Sequence, residues 1–375
     1  MIPVMRPWFG AEEAAAVQEV LASGWVAQGP KVAAFERAVA AEVGASYAVA
    51  VSSCTGALHL ALVALGIGPG DEVVVPSLSF IATANVVRYT GASPVFADVD
   101  ELTQNISAAT SAPSLTSRTK AIIVVHQGGV PADLDPIRDL CEPRGIAIVE
   151  DAACALGSTY RGKPIGTHTP LVAFSFHPRK VITTGEGGML LTSNEDFAER
   201  IRRLRDHGVN INAADRHASI EPVLEEFPEM GFNYRMSDIQ AAVGLVQVTR
   251  LERIVARRRE LARRYQQRLA DIPGIRAVRD PSYGKTNFQS FWIVLAKDFP
   301  ISRNILLRKL MASGISARRG FMAAHLEQAY SDIAHRDLPI TERLTRQSII
   351  LPLFHELTED QQDKVIDVLR DAARS

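Results

Sequence analysis

The sequence predicts an α/β protein in which a largely parallel sheet, covered by helices on both faces, is followed by a smaller α/β section. Three observations carry this expectation. Apolar runs of strand length recur through the first 180 residues, with helical or turn-rich stretches between most of them. These runs are apolar throughout, as strands buried on both faces are. A long, highly charged helical stretch then precedes a fresh set of strand and helix patterns.

Residues 11–22 (AEEAAAVQEVLA) have the spacing of an amphipathic helix ending at Ser23-Gly24, and residues 31–43 form a second helix stopped by Gly44. Strands are expected at Tyr47–Val51, Glu72–Val75, Pro94–Ala97, Ala121–Val125, Ile146–Val149 and Leu171–Phe176. VITTGEGGMLLTS reads as a glycine-punctuated pair of short strands. A charged helix spans about Ser237 to Leu269 with a break, and its RRRE run, Arg257 to Glu260, is expected to be a solvated face. Gly274 and the Pro281–Gly284 turn lead into a strand at Phe291–Leu295, a helix at Arg303–Ala312 and a C-terminal helix from Glu359. The domain boundary is placed near 245–255, giving domains 1–250 and 251–375.

The 375 residues are 47% hydrophobic and 22% charged, with 41 Lys+Arg against 42 Asp+Glu. A net charge of -1 gives no global basic field for nucleic acid or an anionic membrane. No stretch approaches a membrane span, and Met1–Gly10 lacks a secretory pattern. Cys54, Cys141 and Cys154 show no metal-ligand spacing and fit reduced thiols in a cytoplasm. HExxH and paired CxxC motifs are absent, so no metal is expected. The glycines of TGEGGM do not complete GxGxxG, and no dinucleotide site follows from them.

The chemistry is expected at strand-to-loop junctions. The strand IAIVED ends in Glu150-Asp151, placing carboxylates at the carboxyl edge of the sheet, where open α/β folds bind ligands. Alone, such an acid is more often a helix cap. Lys180 follows a further strand, just before a glycine-rich turn. A lysine held in a site can lose its proton and form a Schiff base with an aldehyde, and a carboxylate can keep a pyridine nitrogen protonated so that the ring becomes an electron sink. Ser52, Ser53, Thr55 and Gly56 lie where a strand turns into a helix, a place for phosphate or for simple capping. Phe80 could stack on a planar ring or fill the core. His126 could line the site or satisfy its own loop, and His59 is expected to be structural.

At this level of detail the chain resembles the DegT/StrS-type aminotransferases, which act on nucleotide-linked keto sugars and sometimes on aminocyclitols. The resemblance is carried by GWVAQGPKVAAFE, SSCTGALHLALVALGIGPGDEVVVPSLSFIATANVV, GASPVFADVD, TKAIIVVHQGGVPADLDPI, VEDAACALGSTYRGKPIG, FSFHPRKVITTGEGGM, LRDHG and GFNYRMSDIQAAVGLVQ. These segments run from about residue 24 to 247, and RRG, HLEQAY and LPLF extend the likeness more loosely. The resemblance implies fold type I of the pyridoxal-phosphate transferases, with a seven-stranded, mostly parallel sheet, and a homodimer with shared active sites. It implies pyridoxal 5'-phosphate, alternating with its pyridoxamine form, held covalently by Lys180. Asp151 would pair with the ring nitrogen and Phe80 would stack on the ring. Thr55, Gly56 and Ser175 would hold the phosphate, and Asn233 would reach the partner subunit's phosphate. His325, and less directly His177, would lie near the substrate.

Three residues depart from the family pattern: Cys154 where Gln, His or Glu is frequent, His177 where Tyr is frequent, and Gly56 for a frequent alanine. Cys154 is either a cofactor contact or a small buried group. The reaction implied is transfer of an amino group, expected from glutamate, to a nucleotide-linked keto sugar, in amino-sugar synthesis for a surface polysaccharide or natural product. The alternatives are an aminocyclitol acceptor, a pyridoxamine-phosphate sugar dehydratase, whose members lack the lysine, and a non-catalytic regulatory relative.

Overall fold

The computed structural model describes residues 1–211 and 224–374. A seven-stranded sheet contains β1 (Tyr47–Val51), β2 (Glu72–Pro76), β3 (Ser93–Ala97), β4 (Thr119–Val125), β5 (Ala147–Asp151), β8 (Leu171–Ser175) and β9 (Gly188–Thr192), after the intervening short pair β6 (Thr159–Tyr160) and β7 (Lys163–Pro164). Their order is β1-β9-β8-β5-β4-β2-β3. The five strands from β8 to β3 run parallel, while β9 is antiparallel to both of its neighbours.

Both faces of this sheet are buried, and each strand divides its side chains between them. On β4, Ile122 and Val124 face one core while Ala121 and Ile123 face the other; on β8, Val172 and Phe174 oppose Leu171 and Ala173. The period of two and the continuous apolar runs are therefore the same fact. Helices Pro30–Val43 and Asp238–Thr249 cover one face, where Phe35 packs onto Gly244. The buried Asp238 caps the first of these helices by accepting from the amides of Gly29 (2.9 Å), Lys31 (3.0 Å) and Val32 (2.9 Å). Helix Cys54–Ala64 lies in the opposite core.

The expected pair of strands around VITTGEGGMLLTS is a single strand. Thr183 and Thr184 instead fold back on the carbonyl of Phe176, at 2.8 and 3.0 Å, and only residues 188–192 join the sheet. This turn allows β9 to reverse beside β8, so Lys180 stands in the connection between them. The long charged helix breaks at Arg250 (φ -99, ψ -4), giving Asp238–Thr249 and Leu251–Leu269.

A second sheet, ordered β10-β12-β14-β13, is built from β10 (Ile275–Ala277), β12 (Phe291–Leu295), β13 (Arg318–Arg319) and β14 (Ser348–Leu351), all antiparallel, with β11 (Gly284–Lys285) pairing instead with β6. The RRRE run is not a solvated face. Arg258 is 1% exposed, and its guanidinium donates to the carbonyls of Phe288 (2.9 Å) and Gln289 (2.5 Å). Burial lowers its pKa to about 10. Arg257 and Arg259 also donate to carbonyls, those of Leu357 and Thr286, at 3.0 Å each. Backbone acceptors in a tight non-repetitive segment replace the water a charge run would otherwise keep.

Candidate active site

A cavity of about 380 Å³ opens at the carboxyl edge of the large sheet, within the usual size of a small-molecule site. Asp151, Cys154, Lys180, Ser175, Thr55, Phe80 and His177 all line it. They arrive from the ends of β1, β2, β5 and β8, so one sheet edge gathers residues up to 125 positions apart, from Thr55 to Lys180.

Asp151 is 6% exposed and closes β5. One carboxylate oxygen accepts from Thr83 Oγ1 at 2.8 Å, and the other from the amide of Ala153 at 3.2 Å. Thr83 is braced in turn by Ser79 Oγ at 3.3 Å. Sequence reading missed this brace; its signal is Ser79 and Thr83, four residues apart across a helix start. The neighbouring Glu150 points into the opposite core, where it accepts from His126 Nε2 (2.8 Å) and Thr169 Oγ1 (2.7 Å). His126 Nδ1 accepts from the amide of Ala132 at 3.0 Å, so the proton sits on Nε2 and the ring is neutral. His126 is therefore structural, fully buried below the cavity.

Lys180 directs its amine to Cys154 Sγ at 3.2 Å. Burial works to lower the pKa of the ammonium, but Cys154, which also accepts its hydrogen bond, and Asp151 outweigh it and hold the amine above the ordinary lysine value. Cys54, at the start of its helix, is buried, and that burial pushes its thiol well up, so it stays protonated. Cys154 is partly exposed in the cavity wall and is not a buried filler.

Phe80 is 58% exposed in the cavity wall, which excludes the core-filling reading. At the start of helix Cys54–Ala64, Ser53 Oγ accepts from the amide of Gly56 at 3.1 Å. Thr55 lines the cavity but Gly56 does not: its amide serves the Ser53 cap, and a Cβ there would come 3.3 Å from the Tyr234 ring. Gly188 on β9 lies against this same turn, and a Cβ on it would overlap the backbone of Ser53 and Cys54. Gly188 of TGEGGM thus admits the turn that opens helix Cys54–Ala64 to the sheet edge.

Besides Gly56, two expected residues lie apart from the cavity. Asn233 is exposed, in a backbone bridge with Asp206. His325 does not line the cavity: it is buried, its Nδ1 lies 2.6 Å from Ser77 Oγ, and its amide donates back to that hydroxyl at 3.2 Å. Those bonds fasten the segment 322–325 to β2, along with Ser79 N–H to the Met322 carbonyl (3.0 Å) and Ala324 N–H to the Ser77 carbonyl (2.8 Å). Just ahead of this segment, the short strand β13 also reaches the cavity. Arg318 and Arg319 line the cavity there together with Arg179. Arg179 and Arg318 have no acidic partner among the described residues, and burial, with Arg179 and Arg319 nearby, lowers the pKa of Arg318. Burial likewise lowers that of His177, with Arg179, Lys180 and Arg318 adding to it against Glu186.

These residues fit pyridoxal phosphate by their donor chemistry. A half-buried lysine amine shares the cavity with a fixed carboxylate, an exposed aromatic face lines the same wall, and a helix N-terminus with hydroxyls supplies anion donors. Among the described residues no helix is long and apolar enough to cross a membrane.

Comparison with known proteins agrees with this chemistry. The model of the DegT/DnrJ/EryC1/StrS aminotransferase family matches residues 7–370, beyond the segments that carried the resemblance in the sequence. The aminotransferase TlmJ from Streptoalloteichus hindustanus is 37% identical, with all of this chain and 99% of that one covered, at a TM-score of 0.92. DesV from S. venezuelae is 35% identical over 100% of this chain and 99% of that chain, with a TM-score of 0.90. The sugar aminotransferase Spr1654 from Streptococcus pneumoniae, assigned only provisionally as such and solved in its PLP form, is 28% identical, covers 100% of this chain and 98% of its own, and gives 0.92.

Proposed function

The chain belongs to the DegT/DnrJ/EryC1/StrS aminotransferase family and is a pyridoxal-phosphate-dependent aminotransferase, and we propose that it aminates a nucleotide-linked keto sugar with glutamate as donor. The observation that carries this is Lys180 and Asp151 in one cavity, each fixed by a neighbour.

Bound pyridoxal phosphate supplies an aldehyde that takes Lys180 covalently and a ring that accepts electrons when its nitrogen is protonated. Asp151, held by Thr83 and the Ala153 amide, keeps that nitrogen protonated. Lys180, when not held covalently, would be the group that moves the proton at the substrate carbon. Thr55, Ser175 and the amides opening helix Cys54–Ala64 would hold the phosphate, Phe80 would stack on the ring, and Cys154 flanks the lysine. Asn233, exposed, reaches the phosphate of a partner subunit in a homodimer. Residues 1–250 carry the cofactor and 251–375 close over it, and the three free thiols suit a cytoplasmic enzyme.

Arg179 and Arg318 support a phosphate-bearing acceptor over a neutral cyclitol, because two guanidiniums without acidic partners are a poor lining for an uncharged ring. His177, beside them, is placed to meet the sugar. Lys180 speaks against the dehydratase reading, and the intact cavity against a purely regulatory role. The acceptor is tested by converting the enzyme to its pyridoxamine form with glutamate, removing the donor and adding a panel of nucleotide keto sugars and keto cyclitols. Recovery of the lysine-bound absorbance with a nucleotide sugar supports the reading, and recovery with cyclitols alone contradicts it.

A further inference from the structure

The Lys180 amine makes one side-chain hydrogen bond among the described residues, to Cys154 Sγ at 3.2 Å. The two residues lie in separate loops, Cys154 after β5 and Lys180 after β8. Loop residues keep a fixed separation only where something ties both loops. Here one segment of the second half of the chain ties them. Asn287 Nδ2 donates to the carbonyls of Cys154 (2.9 Å) and Leu156 (2.7 Å). Gln289 Nε2 donates to the carbonyl of Arg179, the residue before Lys180, at 2.7 Å.

That segment is itself rigid. The amide of Gln289 donates to Asn287 Oδ1 at 2.8 Å, joining the two tethers. Phe288, between them, is held in the left-handed region at φ 50, a conformation a non-glycine residue keeps only where its surroundings impose it. Arg258, buried, takes the carbonyls of Phe288 and Gln289. Opposite, a Cβ at Gly129 (φ +98) would overlap Asn287 Oδ1, so glycine makes room for the tether.

We infer that Cys154 is a positioning residue for Lys180, and that Asn287 and Gln289 set the separation of the pair. The inference rests on the aminotransferase reading. Whenever Lys180 is not held covalently, its four-carbon stem would be free to leave the reacting carbon. A sulfur is a weak acceptor, so it steadies the amine without trapping it as a carboxylate would.

The test follows the uptake of pyridoxal phosphate by full-length, cofactor-free protein through the visible absorbance of the lysine-bound form, from neutral to alkaline pH. Uptake rises as Lys180 loses its proton. Because Cys154 raises that pKa, C154A is expected to shift the rise to lower pH. In turnover, C154A should lower kcat about tenfold with KM nearly unchanged, the size expected for losing one hydrogen bond to a charged group. C154S, which keeps an acceptor but not an ionisable sulfur, should restore kcat and part of the pH shift, and Q289A should shift both in the direction of C154A. A parental pH profile in C154A, or serine as defective as alanine, overturns the positioning role; a Q289A protein identical to the parent overturns the tether. No uptake by the parent protein at any pH overturns the aminotransferase reading as well.

Discussion

Thr83 Oγ1 donates to Asp151 Oδ2 at 2.8 Å, tying the helix that follows Phe80 to the carboxylate that closes β5. The bond keeps Asp151 from turning away from the cavity. Thr83 is a neutral donor, so the carboxylate keeps its negative charge, as its proposed pairing with the cofactor's ring nitrogen requires.

Replacing Thr83 with valine keeps its shape and removes that bond. T83V is expected to lose about tenfold in kcat, equivalent to roughly 1.5 kcal/mol, and to release cofactor more readily on dialysis. T83S should keep both. Parental kcat and cofactor retention in T83V would show that Asp151 needs no brace.

Arg318 was legible only as part of a loosely matching RRG, because what matters is the absence of an acidic partner, and partners 100 or more residues away are set by the fold. R318A is expected to raise the KM for a nucleotide keto sugar about tenfold, with the KM for glutamate little changed. The effect should shrink as salt rises. If the glutamate KM alone rises, the guanidinium serves the donor instead.

Gly188 has no room for a side chain against the Ser53-Cys54 backbone. G188A is expected to destabilise the protein by about 1–3 kcal/mol, the usual cost of overpacking, and to weaken cofactor retention at the same time. Thermal melts with and without pyridoxal phosphate would measure both. A parental melting temperature in G188A would show that β9 can move away from the turn.

His325 supplies a pH dependence of defined sign. Its burial, with His335 nearby, lowers its pKa, against the opposing pull of Glu342 and Asp98. The unfolded chain therefore binds a proton near pH 6.5 that the folded protein refuses, so stability is full above that pH and declines as pH falls below it. His59, His177 and His355 are lowered in the same sense by burial. H325N should flatten part of the fall in melting temperature between about pH 7 and pH 5. An unchanged slope would mean that His325 accepts its proton without leaving Ser77.

The fold was legible because strands buried on both faces, parallel or antiparallel, write themselves as continuous apolar runs, and β1, β4 and β12 follow those runs closely. Lys180, Asp151 and Phe80 were legible because strand ends are visible in the same pattern. Three features were not. The Thr183–Thr184 turn resembles a strand until its hydrogen bonds to Phe176 are seen. Arg258 resembles a surface charge until the carbonyls of Phe288 and Gln289 surround it. The Cys154–Lys180 contact depends on a segment more than 100 residues beyond either residue, and local pattern carries no information about it.

The central claim is that Lys180 is the residue that takes the cofactor. It is tested most directly by adding pyridoxal phosphate to the full chain, reducing with borohydride and mapping the labelled peptide. A single stable label on Lys180 is the expected result. A label on another lysine, or no label at all, would contradict it.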